Sequence, residues 1–154
     1  MPLDLQLSGL AERVGEDLGV SRWFEVSQQQ IDEFARVTGD HHWMHVDIAR
    51  ATRERGGTIA HGLLIACLLP MLGEELAQVS GHGGGYSYGF DKLRFTNPVR
   101  PGQRVRLRQT LQSVTASRGG QLVTLRCIVE IDGVERPALV ADYQALYYPT
   151  ERRD

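Results

Sequence analysis

Little in this chain points to secretion, to a membrane or to nucleic acid. There are only two cysteines, Cys67 and Cys127, too few for a disulfide scaffold or a four-thiolate zinc framework. Both stand in apolar runs, which predicts two buried free thiols and a reducing, cytoplasmic setting. No apolar stretch is long enough to cross a bilayer. The longest, Leu63 to Leu72, contains Pro70 and reaches about half the ~20 residues of a span. The opening MPLDLQLSGLAERVGEDL has no basic head, no continuous apolar segment and no small-residue cleavage site, so no secretory leader is expected. Positive charge is not in surplus either. With 17 basic against 19 acidic residues the net charge is −2, which argues against a nucleic-acid or membrane partner and leaves any anionic ligand to a local basic patch. Internal repeats, low-complexity segments and linkers are absent too, so residues 1–154 read as one domain.

What is present falls into two halves. Leu3, Leu7, Leu10, Val14 and Leu18 recur at three- and four-residue intervals and predict an amphipathic helix over residues 1–20. Arg22 to Val26 predicts a short strand. Ser27-Gln28-Gln29-Gln30 has the form of a capping box, opening a helix with Ile31, Phe34, Ala35 and Val37 on its apolar side and Thr38-Gly39 at its end. A further helical turn is expected over residues 47–53, stopped by Gly56-Gly57. From Gly62 to about Val79 almost no polar face remains, the pattern of a buried helix bent at Pro70.

The period then changes to two. Val105, Leu107 and Leu111 alternate with arginines; Val123, Leu125, Cys127, Val129 and Ile131 form a second row; Leu139, Ala141, Tyr143, Ala145 and Tyr147 form a third. Gly119-Gly120 and Asp132-Gly133 separate them as hairpin turns. Residues 86–95 make a fourth strand in which Tyr86, Tyr88 and Phe90 share one face and Leu93 and Phe95 the other, so a bulge is expected near Asp91. One buried helix and four long antiparallel strands make an α+β protein, with a curved sheet wrapped around the helix.

Chemistry concentrates in GDHHWMHVD, residues 39–47, and in AHG at 60–62. His41 and His45 with Asp40, His42, Asp47 and His61 invite a metal reading, but no H-E-x-x-H or Cys/His spacing supports it, and no metal is expected. There is no G-x-S-x-G, and neither cysteine has a base near it in sequence, so covalent catalysis has little support. An acid/base reading asks for less. Asp40 and His45 flank a turn, from which a carboxylate and an imidazole can hold one water molecule. Ala60-His61-Gly62 opens the apolar helix, where first-turn N–H groups have no intrahelical acceptor, and Gly62 lets a carbonyl oxygen approach closely.

These residues carry a resemblance. TGDHHWMHVD followed by IAHGLL, with RFTNPVRPGQRVRLR beyond, resembles the MaoC-like, R-specific enoyl-CoA hydratases of the hotdog fold, most closely the branch of nodulation-protein-N-like proteins. The likeness covers about residues 20 to 148. It implies that Asp40 and His45 deprotonate water for attack on C3 of a trans-2-enoyl thioester, that Gly62 N–H stabilises the enolate oxygen, and that the product is the (R)-3-hydroxyacyl thioester of fatty acid metabolism. Ala60, His61, Trp43 and Arg94 are the expected substrate-binding residues. No cofactor is implied; coenzyme A, or an acyl carrier protein, enters with the substrate, and the partner is a second copy in a homodimer. His42 and Trp43 stand where the common motif has Asn and Pro.

Each residue also has an ordinary structural role. Asp40 suits a turn after a glycine cap, His45 a core with a backbone partner, His61 a helix cap, and Gly62 tight helix–sheet packing. Only the joint occurrence of Asp40, His45 and Ala60-His61-Gly62 favours chemistry. A hotdog thioesterase and a non-catalytic acyl-thioester-binding module are the competing readings.

Overall fold

Three glycines break the leucine-rich N-terminus before it can form the expected helix. The computed structural model describes residues 1–150, and the chain opens with strand β1 (Leu3–Gln6), a 3-10 helix (Leu7–Arg13) and strand β2 (Asp17–Val20). Gly15 and Gly19 take left-handed φ values of +95° and +98°, and each of Gly9, Gly15 and Gly19 would cost a continuous helix about 1 kcal/mol. Leu5, Leu7, Leu10 and Leu18 are buried all the same, whereas Leu3 and Val14, which the helical spacing placed with them, are exposed.

Strand β3 is short (Phe24–Glu25). Helix α1 (Gln28–Thr38) starts on the capping box: Gln30 N–H donates to Ser27 Oγ at 3.2 Å and Ser27 N–H donates to Gln30 Oε1 at 2.9 Å. It buries Ile31 and Ala35 but exposes Val37, at the turn before Gly39 ends it with φ +78°. Helices α2 (Trp43–Val46) and α3 (Ile48–Arg55) follow, and Asp47 caps the second by accepting from Arg50 N–H at 3.0 Å. Gly56, at φ +74°, stops it.

The central apolar segment is not one rod. It divides into α4 (Gly62–Cys67) and α5 (Leu69–Glu74), with Pro70 in the first turn of α5, where a missing N–H leaves no acceptor unpaired. Nor is it buried all round. Ile65, Ala66, Leu69 and Leu72 face the core, while Leu63, Met71 and Cys67 are exposed. Cys67 is therefore not the buried thiol its apolar neighbours suggest. The stretch ends early, because residues 77–80 form strand β4 (Ala77–Ser80), which pairs in parallel with β1.

Strands β5 (Gly84–Phe95), β6 (Arg104–Ser117), β7 (Gly120–Ile131) and β8 (Val134–Tyr148) build the antiparallel sheet in the order β2-β6-β7-β8-β5, with β3 also paired to β6. Register aligns Leu107 with Val129 and Val129 with Leu139, so one face carries a continuous apolar layer that packs on α4 and α5. Each fully buried Leu, Val or Ile in it is worth roughly 1.5–3 kcal/mol. β5 holds two register shifts, between Ser87 and Gly89 and between Asp91 and Arg94. The second is the bulge expected near Asp91, where Lys92 adopts φ +52°. It returns Phe90 and Phe95 to one face, opposite Tyr143 and Leu139. The first shift leaves Tyr86, opposite Leu146, on the other face, so Tyr86 and Phe90 do not share a face as the alternation suggested. β5 is also a sheet edge, and Tyr86, Tyr88, Phe90 and Phe95 on it are exposed.

Candidate active site

The site forms where the end of α1, the single turn of α2 and the start of α4 meet. The left-handed turn at Gly39 sends the chain back across α1. Asp40 follows, and its Oδ1 accepts from His42 N–H at 3.4 Å. His42 then caps α2, its Nδ1 accepting from Met44 N–H at the same distance. One helical turn later His45 places its Nδ1 at 2.7 Å from the carbonyl of Ile59. A carbonyl only accepts, so the proton sits on Nδ1 and the Nε2 lone pair is available to act as a base.

His61 lies beneath this ring. It is 3% exposed, its imidazole stacks on that of His45, and its Nε2 donates to the backbone carbonyl of Asp40 at 2.9 Å. It makes no side-chain cap to α4. Its Nδ1 is buried with no hydrogen-bond partner among the described residues. One atom each of Asp40, His45 and His61 lie within 4.8 Å of one another. Asp40 is more than half exposed, so the cluster opens to solvent on the carboxylate side. One carboxylate and two imidazoles can also hold a divalent cation. Here His45 Nδ1 and His61 Nε2 are already bonded to carbonyls, and it is that same His61 Nε2 that lies 3.9 Å from Asp40 Oδ2.

His45 and Gly62 line one cleft of ≈ 400 Å³ with Ala60, Ile65, Phe95 and Asn97 among its walls. Gly62 is the first residue of α4, and its N–H has no acceptor among the described residues. A Cβ at position 62 would lie 2.7 Å from the ring of Phe95. Glycine is thus required by packing against β5, whatever the N–H does in addition. Asp40 is not itself a cleft residue; it adjoins the cleft through His45.

Ala60 is a cleft wall and His61 a buried platform. Trp43 instead stacks with the guanidinium of Arg50, 4.2 Å from its ring centroid, and is not among the cleft residues. Arg94 points along the edge strand and donates to the carbonyl of Leu93 at 2.8 Å. In the single chain these two stand apart from the cleft. Two contributors escaped the sequence reading. Gln28 donates to the carbonyl of His45 at 2.8 Å and accepts from Thr58 Oγ1 at 2.5 Å, tying α1 to both halves of the motif. Phe95 forms the wall opposite Gly62. A glutamine in the first turn of a helix carries no mark of such a role.

A sheet packed on a central helical segment is the hotdog architecture, and the likenesses that follow make the chain a hydro-lyase of that fold. The chain belongs to the MaoC-like dehydratase family, whose domain matches residues 10–131. It is 39% identical over 138 residues to 3-hydroxyacyl-thioester dehydratase Z of Mycobacterium tuberculosis, covering 88% of this chain and 91% of that one. It is 37% identical to nodulation protein N of Rhizobium meliloti, covering 97% of this chain and 96% of that protein. Among solved structures, the MaoC-like dehydratase of Rhodospirillum rubrum superposes with a TM-score of 0.72 at 22% identity, over 90% of this chain and 94% of that one.

Proposed function

We propose that this protein is an (R)-specific 2-enoyl-CoA hydratase, a cytoplasmic enzyme of fatty acid metabolism. The observation that carries the reading is the convergence of Asp40 and His45, with His45 sharing a cleft with the Gly62 N–H. Water is held between the Asp40 carboxylate and His45 Nε2. Its oxygen bonds to C3 of the trans-2-enoyl thioester as the C2–C3 π pair moves toward the carbonyl. One proton of the water is taken by the pair and a proton is returned to C2, so water is added with no other reactant. The enolate oxygen formed on the way is stabilised by Gly62 N–H. The thioester itself is the electron sink, so the reaction calls for no metal, flavin or nicotinamide. The likeness to a 3-hydroxyacyl-thioester dehydratase supports this chemistry, since dehydration is its reverse.

Ala60 meets the acyl end in this reading, His61 serves the substrate site from beneath by supporting His45, and Trp43 and Arg94 meet the coenzyme A or acyl-carrier-protein arm. The exposed aromatic edge of β5 supports a homodimer in which a second copy covers that strand. Light scattering should then give twice the 17.2 kDa of one chain.

Crotonyl-CoA tests the activity directly. Loss of the enoyl absorbance without free thiol is the expected result. Released thiol would instead favour a thioesterase, in which Asp40 directs water to the carbonyl carbon, and neither signal would favour a binding module.

A further inference from the structure

We propose that a second cavity, at the far end of the central helical segment, seats the tail of the acyl chain and selects tails that carry a hydroxyl group. This rests on the reading of the site as an enoyl-thioester hydratase. The cavity, ≈ 280 Å³, lies between α5, β1 and the inner faces of β6, β7 and β8. Leu5, Leu69 and Leu125 are among its walls, which suits an aliphatic chain.

Its position relative to the cleft is what a chain requires. Pro70 and Gly73 line the cavity, and Gly62 lines the cleft. Eight to eleven residues of α4 and α5 separate them, at most about 12–17 Å at ~1.5 Å per residue, since the segment is not one rod. A row of apolar side chains on the inner face of β5 supplies the track between them. Phe95 is a wall of the cleft, Leu93 at the bulge packs against the core, and the Phe90 ring lies 5.3 Å from that of Tyr143, a wall of the cavity. Both phenylalanines are exposed in the single chain, at 50% and 40%, so the second copy of the proposed dimer would close the track from outside. An extended chain advances ~1.3 Å per C–C bond, so about ten carbons reach the near end of the cavity.

The polar wall of the cavity sets the choice. Gln109 occupies an inward position of β6, between Leu107 and Leu111, and is 3% exposed. Its Nε2 reaches only Cys127 Sγ, at 3.4 Å, and its amide oxygen accepts no hydrogen bond among the described residues. The amide lies against α5 at Gly73, where a Cβ would be 3.5 Å from both amide atoms, an ordinary contact. Nearby, Ser87 Oγ and Tyr143 Oη are bonded to each other at 2.5 Å, and His82 Nδ1 is buried without a partner among the described residues. A purely aliphatic tail leaves Gln109 Oε1 and His82 Nδ1 unpaired, whereas a terminal hydroxyl donates to Gln109 Oε1. A site built to bond a hydroxyl rejects the analogue lacking it far more strongly than a methylene pocket discriminates by size.

The test is calorimetric binding of two saturated, unreactive thioesters, 10-hydroxydecanoyl-CoA and decanoyl-CoA, to the full-length protein. The wild type should bind the hydroxylated chain at least ~10-fold more tightly. Gln109→Leu should lose that preference while binding butyryl-CoA, too short to reach the cavity, as the wild type does. Should the leucine variant not fold, Gln109→Met, unbranched like glutamine, replaces it. Equal binding of the two chains by the wild type, or a preference that survives loss of the amide, overturns the proposal. Crotonyl-CoA hydration is read separately: its absence would strike the hydratase reading, while the binding comparison would still report on the cavity.

Discussion

The imidazole of His61 lies face to face with that of His45, ring centroids 3.8 Å apart and planes 25° from parallel. Because His61 also donates to the Asp40 carbonyl, one buried ring touches both members of the proposed acid/base pair. It is the floor under the base and the tether of the loop that carries the acid. His61→Phe should separate these contributions. A phenyl ring keeps the stacking surface but leaves the Asp40 carbonyl without its donor, which costs about 1–3 kcal/mol where water cannot replace it. The expected outcome is a lower melting temperature and a lower kcat on crotonyl-CoA, with KM near the native value. Native kcat in a folded His61→Phe variant would mean that the tether is irrelevant to turnover.

Asp40→Asn and His45→Gln test the pair itself. Both replacements retain size and some hydrogen bonding but remove the capacity to take a proton. Each should lower kcat/KM for hydration by at least ~10²-fold, since positioned acid/base groups contribute that or more. Circular dichroism identical to wild type would place the loss in chemistry. Near-native turnover by both folded variants would remove Asp40 and His45 from the mechanism.

What the sequence made legible was local. Ser27 with Gln30, the glycine ends at Gly39 and Gly56, the bulge near Asp91 and the inward rows of β6 to β8 depend on neighbours a few positions away, so their patterns survive in one dimension. What it hid depends on distant chain. β1 is a strand because residues 77–80 lie beside it, and nothing in Leu3–Gln6 states that. Leu63, Cys67 and Met71 stand on the outward side of α4 and α5, but with no polar residue to mark that side the whole segment read as buried. The motif residues Asp40, His45, His61 and Gly62 were visible through their joint spacing. Gln28 was not, because its partners at His45 and Thr58 meet it only in the fold. Gln109 did leave a trace, as the polar gap between Leu107 and Leu111 in an otherwise apolar row.

Gly62→Ala distinguishes packing from chemistry at the start of α4. The added methyl would lie 2.7 Å from the Phe95 ring, and overpacking of this kind typically costs about 1–3 kcal/mol. Alone, the variant should lose both stability and activity. Combined with Phe95→Leu, which removes the ring from that spot, stability should largely return by thermal melting. If the backbone N–H is what the reaction uses, hydration of crotonyl-CoA should return as well. Recovered stability with activity still absent would show that glycine is needed for the close approach of the substrate itself.

The two thiols should differ sharply in reactivity. Burial pushes the Cys127 thiol up to about 11, its contacts with the Gln109 amide and the Tyr143 backbone only partly offsetting the desolvation. At pH 8 only about one in ~10³ of such groups is thiolate, the reactive form. Cys67, by contrast, is exposed on the outward side of α4. A disulfide reagent such as Ellman's should therefore titrate one thiol per chain in the native protein at pH 8 and two in denaturant. The same shift has a consequence for stability. In the unfolded chain Cys127 ionises near its ordinary value, about 9. Its neutral form therefore supports the fold fully below that pH, and the contribution is lost as pH rises toward 11. Cys127→Ala should flatten the alkaline end of a stability–pH profile while lowering the whole curve, because it leaves a cavity beside Gln109. Two native thiols reacting at equal rates at pH 8 would contradict the burial of Cys127 against β6.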